Sequence, residues 1–274
     1  MSPAFIQELT PQGLHAVPYR ADSLADAAQY EPDGIYTVTN TYHTFQTLKL
    51  DAHLDRMEDS AAREGIPLKL DRRRLREALR QMISKAQFGD VRFRITVPRE
   101  VPNHAILTLE PYVPPSPALI NGGVRCVTVP GLLRRNPAAK TNDWVADRSA
   151  VTLPEGIYQG LLVNDQEQIL EGFSSNFYAI LNGELRTAGE EVLAGIAQQI
   201  IFAVAPGILI LRRDAIRMSD LPDLNEAFLT SSSRGVIPII EIDEQSIGDG
   251  APGPRTMAIR RAYNKWVEAH LEDL

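Results

Sequence analysis

Three kinds of side chain in this sequence could perform chemistry together. Lys140, in the segment AAKTNDW, offers an amine that can bond covalently to a carbonyl group and then carry a proton. Glu171, in ILEGFSSNFYAI, offers a carboxylate that can keep a neighbouring ring nitrogen protonated. Arg56, in the segment HLDR, offers a guanidinium that suits two oxygens of a phosphate at once. Each residue is ordinary on its own, so the inference depends on their order along the chain.

Three further segments complete that order, the last of them IGDGAPGPRT, residues 247–256. Leu193–Ile196 places a glycine ahead of an apolar helical pattern, where free backbone N–H groups bind anions. The segment AFLTSSSRGVIPIIEID, residues 227–243, puts serines at the end of a strand pattern. In this order and at these separations, the segments resemble the fold-type IV pyridoxal-phosphate enzymes. That group contains branched-chain and D-amino acid aminotransferases, (R)-amine transaminases and aminodeoxychorismate lyase. The resemblance runs from about Gly34 to the C-terminus and is densest from Leu170 to Thr256.

The resemblance implies a cofactor, substrates and an assembly. The cofactor is pyridoxal 5′-phosphate, the substrates are an amino donor and a keto-acid acceptor, and the active site is completed across a homodimer interface. Lys140 is implied to form the covalent link to the cofactor and to move the proton. Glu171 is implied to meet the pyridine nitrogen, oriented by Ser175 and Asn176. The residues implied to bind the phosphate are Arg56, Gly195, Ile196, Ala197, Ser231 and Ser232.

The residues implied to meet the substrate are Tyr36, in GIYTV, and Arg99, which would hold the α-carboxylate. Glu100 replaces a glycine beside Arg99, so a surface ion pair between these two residues is the alternative interpretation. Val145 stands where branched-chain enzymes usually carry a tyrosine. We therefore expect a transaminase of α-amino acids, with D-amino acids slightly ahead of branched-chain L-amino acids. An aminodeoxychorismate-type lyase and a non-catalytic cofactor-binding relative are the alternatives.

Two other positions depart from the family pattern. Thr37 replaces the acidic residue that usually follows the substrate-side tyrosine. Ala197 replaces a threonine, so one hydroxyl that would face the phosphate is missing. The sequence therefore predicts that cofactor binding is retained, whereas the identity of the substrate does not follow from it.

The elements that must position these residues follow from the hydrophobic periodicity. Alternation predicts strands at Ile35–Tyr42, Val91–Val97 and Ala105–Glu110, with two helices capped by Asp51 and Asp71 between the first two. This order is typical of a small α/β domain. The next segment, Pro111–Gly123, contains four prolines and predicts an irregular linker without helix or strand.

The remainder of the chain alternates between short strand patterns and two helices. The predicted strands are Val124–Val129, Gly160–Asn164, Phe177–Leu181, Glu184–Thr187, Ile208–Arg212, Glu226–Thr230 and Val236–Ile240. The helices lie around Ile196–Val204 and Arg255–Glu268. We predict a two-lobed α/β (α+β) fold of the fold-type IV aminotransferase kind. A small α/β domain spans residues 1–112, a linker 113–123, and a larger, strand-rich, barrel-like cofactor-binding domain 124–274.

Composition excludes several other classes of protein. The 274 residues carry 28 Lys and Arg against 35 Asp and Glu, a net charge of −7, so no overall attraction to nucleic acid or anionic lipid is expected. The lone Cys126 excludes an intramolecular disulfide, the five histidines lack metal-ligand spacing, and no run of 18 apolar residues predicts a membrane span. No secretory signal is recognised at the N-terminus, which favours the cytoplasm.

One motif in the C-terminal part is misleading. Gly248, Gly250 and Gly253 fit the GxGxxG spacing of dinucleotide-binding proteins. Pro252 and Pro254 interrupt it, and no βαβ unit surrounds it. We interpret the segment as a surface loop ahead of the last helix.

Overall fold

The structure, a computed structural model, describes residues 4–274, and the chain divides into two compact units. The first unit comprises the described part of Met1–Val113 together with Ala139–Ala150 and His270–Leu274. The second comprises Pro114–Ala138 and Val151–Ala269. Two segments from beyond residue 124 therefore group with the first unit, and one of them contains Lys140.

Seventeen strands and seven α-helices are present between residues 4 and 274. The strands are β1 (Phe5–Thr10), β2 (Gly13–Ala16), β3 (Gly34–Tyr42), β4 (Gln46–Leu48), β5 (Val91–Pro98), β6 (Ala105–Pro111), β7 (Val124–Pro130), β8 (Gln159–Val163), β9 (Gln168–Gly172), β10 (Ser175–Leu181), β11 (Glu184–Arg186), β12 (Ile210–Arg212), β13 (Ile216–Arg217), β14 (Glu226–Ser231), β15 (Gly235–Ile242), β16 (Gln245–Ser246) and β17 (Leu271–Asp273). The helices are α1 (Leu24–Ala27), α2 (Leu50–Arg63), α3 (Arg72–Ala86), α4 (Pro117–Gly122), α5 (Asp143–Ser149), α6 (Ile196–Val204) and α7 (Pro254–Ala269). Two short 3₁₀ helices span Ala205–Gly207 and Met218–Asp223. None of the helices within residues 4–274 is long and apolar enough to cross a membrane.

An antiparallel sheet of seven strands forms the first unit, in the order β17-β4-β3-β5-β6-β1-β2. Helices α2 and α3 pack on it because their apolar residues recur at helical spacing and so fall on one face. Leu54, Met57, Leu79 and Met82 of these helices are buried against strand residues such as Phe93. Helix α2 also buries the polar residues His53 and Ser60, so its buried side chains are not all part of the apolar core.

The starts of the two helices show one confirmed and one wrong prediction. Asp71 caps α3, because its side chain accepts a hydrogen bond from the Arg74 N–H. Asp51 was expected to cap α2 in the same way, but this helix begins at Leu50, with Lys49 in the left-handed region before it. The Glu272 carboxylate accepts from the Leu50 N–H at 2.8 Å instead, so a residue distant in sequence satisfies the helix end.

Two arginines of α3 are held by acidic partners on α2. Arg72 contacts Asp55 and Glu58 at 2.6 Å each, and Arg76 contacts Asp51 at 3.1 Å. These pairs balance the charge of the helix face.

A barrel closes the sheet of the second unit. Its ten strands follow the order β12-β11-β10-β14-β15-β7-β8-β9-β13, with β16 beside β15 and an additional pairing of β9 with β10. That pairing closes β10, β14, β15, β7, β8 and β9 into a ring. The barrel-like, strand-rich architecture predicted from the sequence is therefore confirmed. Helices α6 and α7 pack on each other, and α7 also packs on β15.

The predicted irregular linker is wrong in its second half. Pro117–Gly122 is helical, whereas Pro111–Gly123 was expected to lack helix and strand, and β6 includes Pro111. Ser116 caps the helix by accepting from the Leu119 N–H at 3.1 Å. Pro117 occupies the first helical turn, where a missing N–H costs nothing and the fixed φ is favourable. Counting each proline as a helix breaker ignored this position.

Candidate active site

Lys140 belongs to the first unit and lies just ahead of α5. Its backbone pairs with the start of β3. Thr141 forms an antiparallel β-bridge with Ile35, and the Tyr36 N–H donates to the Lys140 carbonyl at 3.1 Å. The Lys140 N–H donates to the buried Ser60 hydroxyl of α2 at 3.1 Å. The backbone of Lys140 is thus fixed by both a strand and a helix, as the precise placement of a reacting side chain requires.

The Lys140 amine meets Tyr36 of the same unit. Nζ donates to the Tyr36 hydroxyl at 3.3 Å and lies 4.4 Å from the centre of its ring. Tyr36 is buried, while Lys140 is half-buried. The first unit therefore contains a half-buried lysine whose amine donates to the hydroxyl of a buried tyrosine.

Arg56 forms a short polar chain with two buried neighbours. Its Nη2 donates to the Thr37 hydroxyl at 3.3 Å, and that hydroxyl lies 2.7 Å from Nδ1 of His53. His53 Nε2 is buried and has no hydrogen-bond partner within residues 4–274. Thr37, which replaces the acidic residue usual at this position, therefore links Arg56 to His53.

His53 is held neutral. Burial, the Arg56 and Lys140 cations and then Lys49 lower the pKa of His53 well below its usual value. The unfolded chain binds a proton at this histidine below about pH 6.5, whereas the folded chain does not. The neutral His53 therefore contributes fully to the free energy of unfolding above about pH 6.5. This contribution is lost as the pH falls below that value, because the unfolded chain then takes up a proton that the folded chain does not.

We expect His53→Gln to flatten the pH dependence of stability. Between pH 6.5 and 5.0 the free energy of unfolding of the wild type should fall more steeply than that of the variant, by up to about 1.4 kcal/mol per pH unit. Urea unfolding at several pH values measures both slopes, and His15→Gln, at an exposed position, is the control. Equal slopes for His53→Gln and the wild type would contradict the neutral histidine.

Arg99 is engaged by acidic residues of its own unit. Its Nε donates to Asp33 at 2.8 Å, Nη2 to the Glu64 carboxylate at 3.1 Å, and Nη1 to the Glu64 carbonyl at 2.9 Å. Arg99 thus forms ion pairs of the kind considered as the alternative. Its partners are Asp33 and Glu64, and not the expected Glu100. A role in substrate binding stays a prediction.

Glu171 lies in the second unit, buried at the end of β9. Its Oε1 accepts from Nε of Arg134 at 2.6 Å, and both carboxylate oxygens lie 3.4 Å from the Leu193 N–H. Both side chains of the ion pair are nearly inaccessible, with 3% and 2% of their surface exposed. Sequence reasoning missed Arg134, because nothing local relates it to a glutamate 37 residues later.

Ser175 and Asn176 begin strand β10, which was predicted to start only at Phe177. Ser175 accepts from Nε2 of Gln159 at 2.7 Å, and Asn176 donates to the Leu193 carbonyl at 2.9 Å. Asn176 pairs with Glu171 across the antiparallel β9–β10 ladder. Both residues thus support the strand end that carries the buried carboxylate.

Helix α6 begins directly after Gly195. Gly195 has extended backbone angles and no side-chain cap, and Ile196 and Ala197 form the buried first turn. The first N–H groups of a helix lack partners within the helix and attract anions. The structure thus provides the backbone donors that the sequence predicted at this position.

Gly195 is required by close packing. A β-carbon there would overlap with Oδ1 of Asn176, whose amide is fixed by Leu193. We expect Gly195→Ala to lower the free energy of unfolding by about 1–3 kcal/mol through overpacking. Denaturant unfolding tests this, with Gly207→Ala as the control because a β-carbon there meets nothing within 4 Å. Equal effects of the two substitutions would contradict the packing argument.

Ser231 ends β14, and Ser232 lies in the turn that follows it. Arg234, which sequence reasoning did not single out, ties this turn to other parts of the second unit. It donates to the Ser231 hydroxyl at 2.8 Å, the Ser174 hydroxyl at 2.8 Å and the Tyr158 hydroxyl at 3.2 Å. An arginine directly after three serines at a strand end was the available signal.

The GxGxxG-like segment leads into α7 as a loop, as interpreted from the sequence. The carboxylate of Glu226 accepts from the Arg255 and Thr256 N–H groups at 3.1 and 2.6 Å. Gly253 is needed because a β-carbon there would overlap with that carboxylate. The Glu226 carboxylate therefore occupies the N-terminus of α7.

The side chains present fit the chemistry of pyridoxal phosphate. The first unit supplies a held amine at Lys140 and a half-buried guanidinium at Arg56. The second supplies a buried carboxylate at Glu171, uncapped helix N–H groups after Gly195 and hydroxyls at the serine turn. A carbonyl carbon, a pyridine nitrogen and a phosphate each have a chemically matched partner in this set.

The comparisons with known proteins identify the family of the chain. A family model described as amino-transferase class IV matches residues 34–242, more than half of the chain. A protein of Methanocaldococcus jannaschii, provisionally named a branched-chain-amino-acid aminotransferase, is 24% identical over 85% of this chain and 88% of its own. The D-alanine aminotransferase of Bacillus licheniformis is 27% identical over 86% and 88%.

Solved structures show the same fold, and they include a complex with pyridoxamine 5′-phosphate. The branched-chain amino acid aminotransferase of Escherichia coli superposes with a TM-score of 0.81 at 19% identity, covering 99% of this chain and 97% of that one. Together with the match of the family model, this likeness confirms the fold class and the resemblance inferred from the sequence. The chain belongs to the class IV aminotransferases, a family of enzymes that depend on pyridoxal phosphate.

Proposed function

We propose that this enzyme transfers the amino group of an α-amino acid to an α-keto acid, with D-amino acids as its preferred donors. The observation that carries the proposal is the placement of Lys140. Its amine donates to the Tyr36 hydroxyl, and its backbone is hydrogen-bonded to β3 and α2. Two further points favour D-amino acid donors. Val145 stands where branched-chain enzymes usually carry a tyrosine, and the chain is similar to a D-alanine aminotransferase over 86% of its length. Transamination needs a lysine that can bond to the cofactor and also move a proton.

In this proposal Lys140 would hold the cofactor through its amine, and the free amine would take up and give back a proton at Nζ. The bound cofactor supplies the conjugated ring that accepts the electron pair left on the donor's α-carbon. Because Tyr36 fixes Nζ from one side, the amine returns to the same position after each transfer. Tyr36 is also proposed to line the place where the donor binds.

Glu171 is proposed to hold the proton on the pyridine nitrogen. Its charge is balanced by Arg134, and burial excludes water from both groups. Ser175 and Asn176 keep the strand end in place and so keep the carboxylate in its orientation. A carboxylate fixed in this way needs no reorganisation during the reaction, which is the property that favours electrostatic catalysis.

The phosphate is proposed to bind to groups from three motifs. Arg56 supplies the charge, and Thr37 orients its guanidinium. The N–H groups of Ile196 and Ala197, after Gly195, supply backbone donors, and Ser231 and Ser232 supply hydroxyls. Ala197 contributes only its N–H, because it lacks the hydroxyl of the usual threonine.

Arg99 is proposed to bind the substrate carboxylate, on one condition. All three of its nitrogens donate to Asp33 or Glu64, so a substrate must displace one of these partners. Arg99→Gln should then raise the KM of the donor about tenfold and leave kcat near that of the wild type. Asp33→Asn is the control for loss of the ion pair. An unchanged KM for Arg99→Gln would restrict Arg99 to that pair.

The direct test of the function is the visible spectrum of the holoenzyme with D-alanine, D-glutamate, L-leucine and (R)-phenylethylamine added separately. D-alanine or D-glutamate should convert the bound cofactor to its amine form and release the matching keto acid, and added 2-oxoglutarate should restore the first spectrum. Conversion by L-leucine alone would overturn the preference for D-amino acids. Pyruvate release from aminodeoxychorismate without any keto acid would identify a lyase instead.

The homodimer implied by the family is part of the proposal. Light scattering of the holoenzyme should give twice the 30.3 kDa mass of the chain. A monomer with full activity would contradict an active site completed by a second copy.

A further inference from the structure

A charged pair is buried inside the first unit, away from its surface ion pairs. Glu31 and Arg94 lie 2.6 Å apart, with 0% and 4% of their side-chain surface exposed. The hydroxyls of Thr96 and Thr108 also donate to the Glu31 carboxylate. Burying two charges requires this degree of satisfaction, and apolar residues of the same size are often at least as stable. Such a pair therefore calls for an explanation other than stability.

The other side of the Arg94 guanidinium faces two residues that lead to Lys140. Its Nη2 donates to Oδ1 of Asn142 at 2.6 Å, and its Cζ lies over the Tyr36 ring, 3.8 Å from the ring centre. Arginine can do both because its planar fork donates in-plane while its face stacks on an aromatic ring. Lysine could not reproduce this arrangement.

Asn142 fixes the backbone two residues beyond Lys140. Its N–H donates to the Gly34 carbonyl at 2.9 Å, and its side-chain amide donates to the Pro32 carbonyl at 2.7 Å. Tyr36, on which Arg94 stacks, is the residue whose hydroxyl accepts from the Lys140 amine. Arg94 is therefore connected to both ends of Lys140, the backbone through Asn142 and Nζ through Tyr36.

We propose that Arg94, fixed and neutralised by Glu31, is a positioning residue that holds the Lys140 backbone through Asn142 and the Lys140 amine through Tyr36. The inference rests on the role proposed for Lys140. Arg94 itself touches no reacting atom in this account. Glu31 matters because it orients the guanidinium and balances its charge, so that Arg94 restrains the lysine without adding net positive charge beside it.

The first test uses Asn142→Ala, which breaks the connection without leaving a buried charge unpaired. In the cofactor-free protein, the rate at which acetic anhydride labels Lys140, measured by mass spectrometry against the exposed Lys69, should change at least about threefold. The rate of the half-reaction with the donor should fall on the order of 10- to 100-fold through misplacement of the amine. The affinity for pyridoxal phosphate should stay within about threefold, because phosphate-binding residues are untouched.

The second test separates charge from geometry. Arg94→Lys keeps the charge and should still lose about tenfold in the half-reaction rate, because it cannot both stack and donate to Asn142. Arg92→Gln is the matched control, since Arg92 lies on the same strand and pairs with Glu110 at a more exposed position. If Arg94→Lys fails to fold, the double variant Glu31→Gln/Arg94→Met serves in its place. It replaces the buried charged pair by an uncharged one and should show the same loss of half-reaction rate.

Two results would overturn the inference. One is wild-type labelling of Lys140 and a wild-type half-reaction rate in Asn142→Ala. The other is an effect of Arg94→Lys confined to the KM of donors with a second carboxylate, which would make Arg94 a substrate-binding residue. A wild type that shows no half-reaction refutes the proposed function instead, while the labelling rates still test the positioning.

Discussion

Lys140→Ala is expected to lower the rate of amino-group transfer by at least about 10³-fold. The substitution removes both the covalent attachment and the group that carries the proton, and proton transfer alone typically contributes 10²–10⁴-fold. The fold should survive, because Lys140 is half-buried and the backbone contacts to Ser60 and Tyr36 do not need its side chain. A coupled assay for the keto-acid product, at saturating donor, measures the effect.

Lys69→Ala is the control for this substitution, since Lys69 is an exposed lysine of the same unit. Its activity should equal that of the wild type. An added primary amine should restore part of the activity of Lys140→Ala, because it can replace the missing proton carrier. Activity of Lys140→Ala within tenfold of the wild type would remove Lys140 from the proposed chemistry.

Glu171→Ala is expected to have the second largest effect, on stability and activity together. It leaves the Arg134 guanidinium buried without its carboxylate, which typically costs about 3–5 kcal/mol. Loss of the charge at the proposed ring nitrogen should also lower the rate by at least about 10²-fold. Urea unfolding of the cofactor-free protein and turnover of the holoenzyme measure the two effects.

The double variant Glu171→Met/Arg134→Met separates these effects. Replacing both members of a buried ion pair by apolar residues is often neutral for stability, so unfolding should return close to that of the wild type. Activity should stay low, because the carboxylate is still missing. A double variant that regains turnover would show that Glu171 serves only to neutralise Arg134.

The sequence predicted helices and strands best where local pattern determines them. Helix α6 has the predicted bounds, Ile196–Val204, because a glycine start precedes a mostly apolar segment. Strands β3, β5 and β6 lie within one residue of the prediction, although they are buried along most of their length and burial does not follow the sequence alternation. Strands β1 and β2 were missed: they form a half-buried hairpin whose residues show only weak alternation.

The site residues were predictable as single positions, whereas their partners were not. Lys140, Glu171 and Arg56 stand in recognisable segments. Arg134 and Arg94 act through residues 37 and 48 positions away, and no local pattern marks such pairs. Thr37 was noticed as a departure, yet its link between Arg56 and His53 became apparent only from the fold. Long-range polar contacts are set by topology, which periodicity does not encode.

The most direct test of the central claim is to locate the cofactor on the chain. The holoenzyme, reduced with borohydride and digested, should yield one peptide carrying a phosphopyridoxyl group, and fragmentation should place that group on Lys140. Lys140→Ala, treated in the same way, should carry none. Label on another lysine, or no label on a wild type that binds pyridoxal phosphate, would contradict the assignment of Lys140 and with it the proposed mechanism.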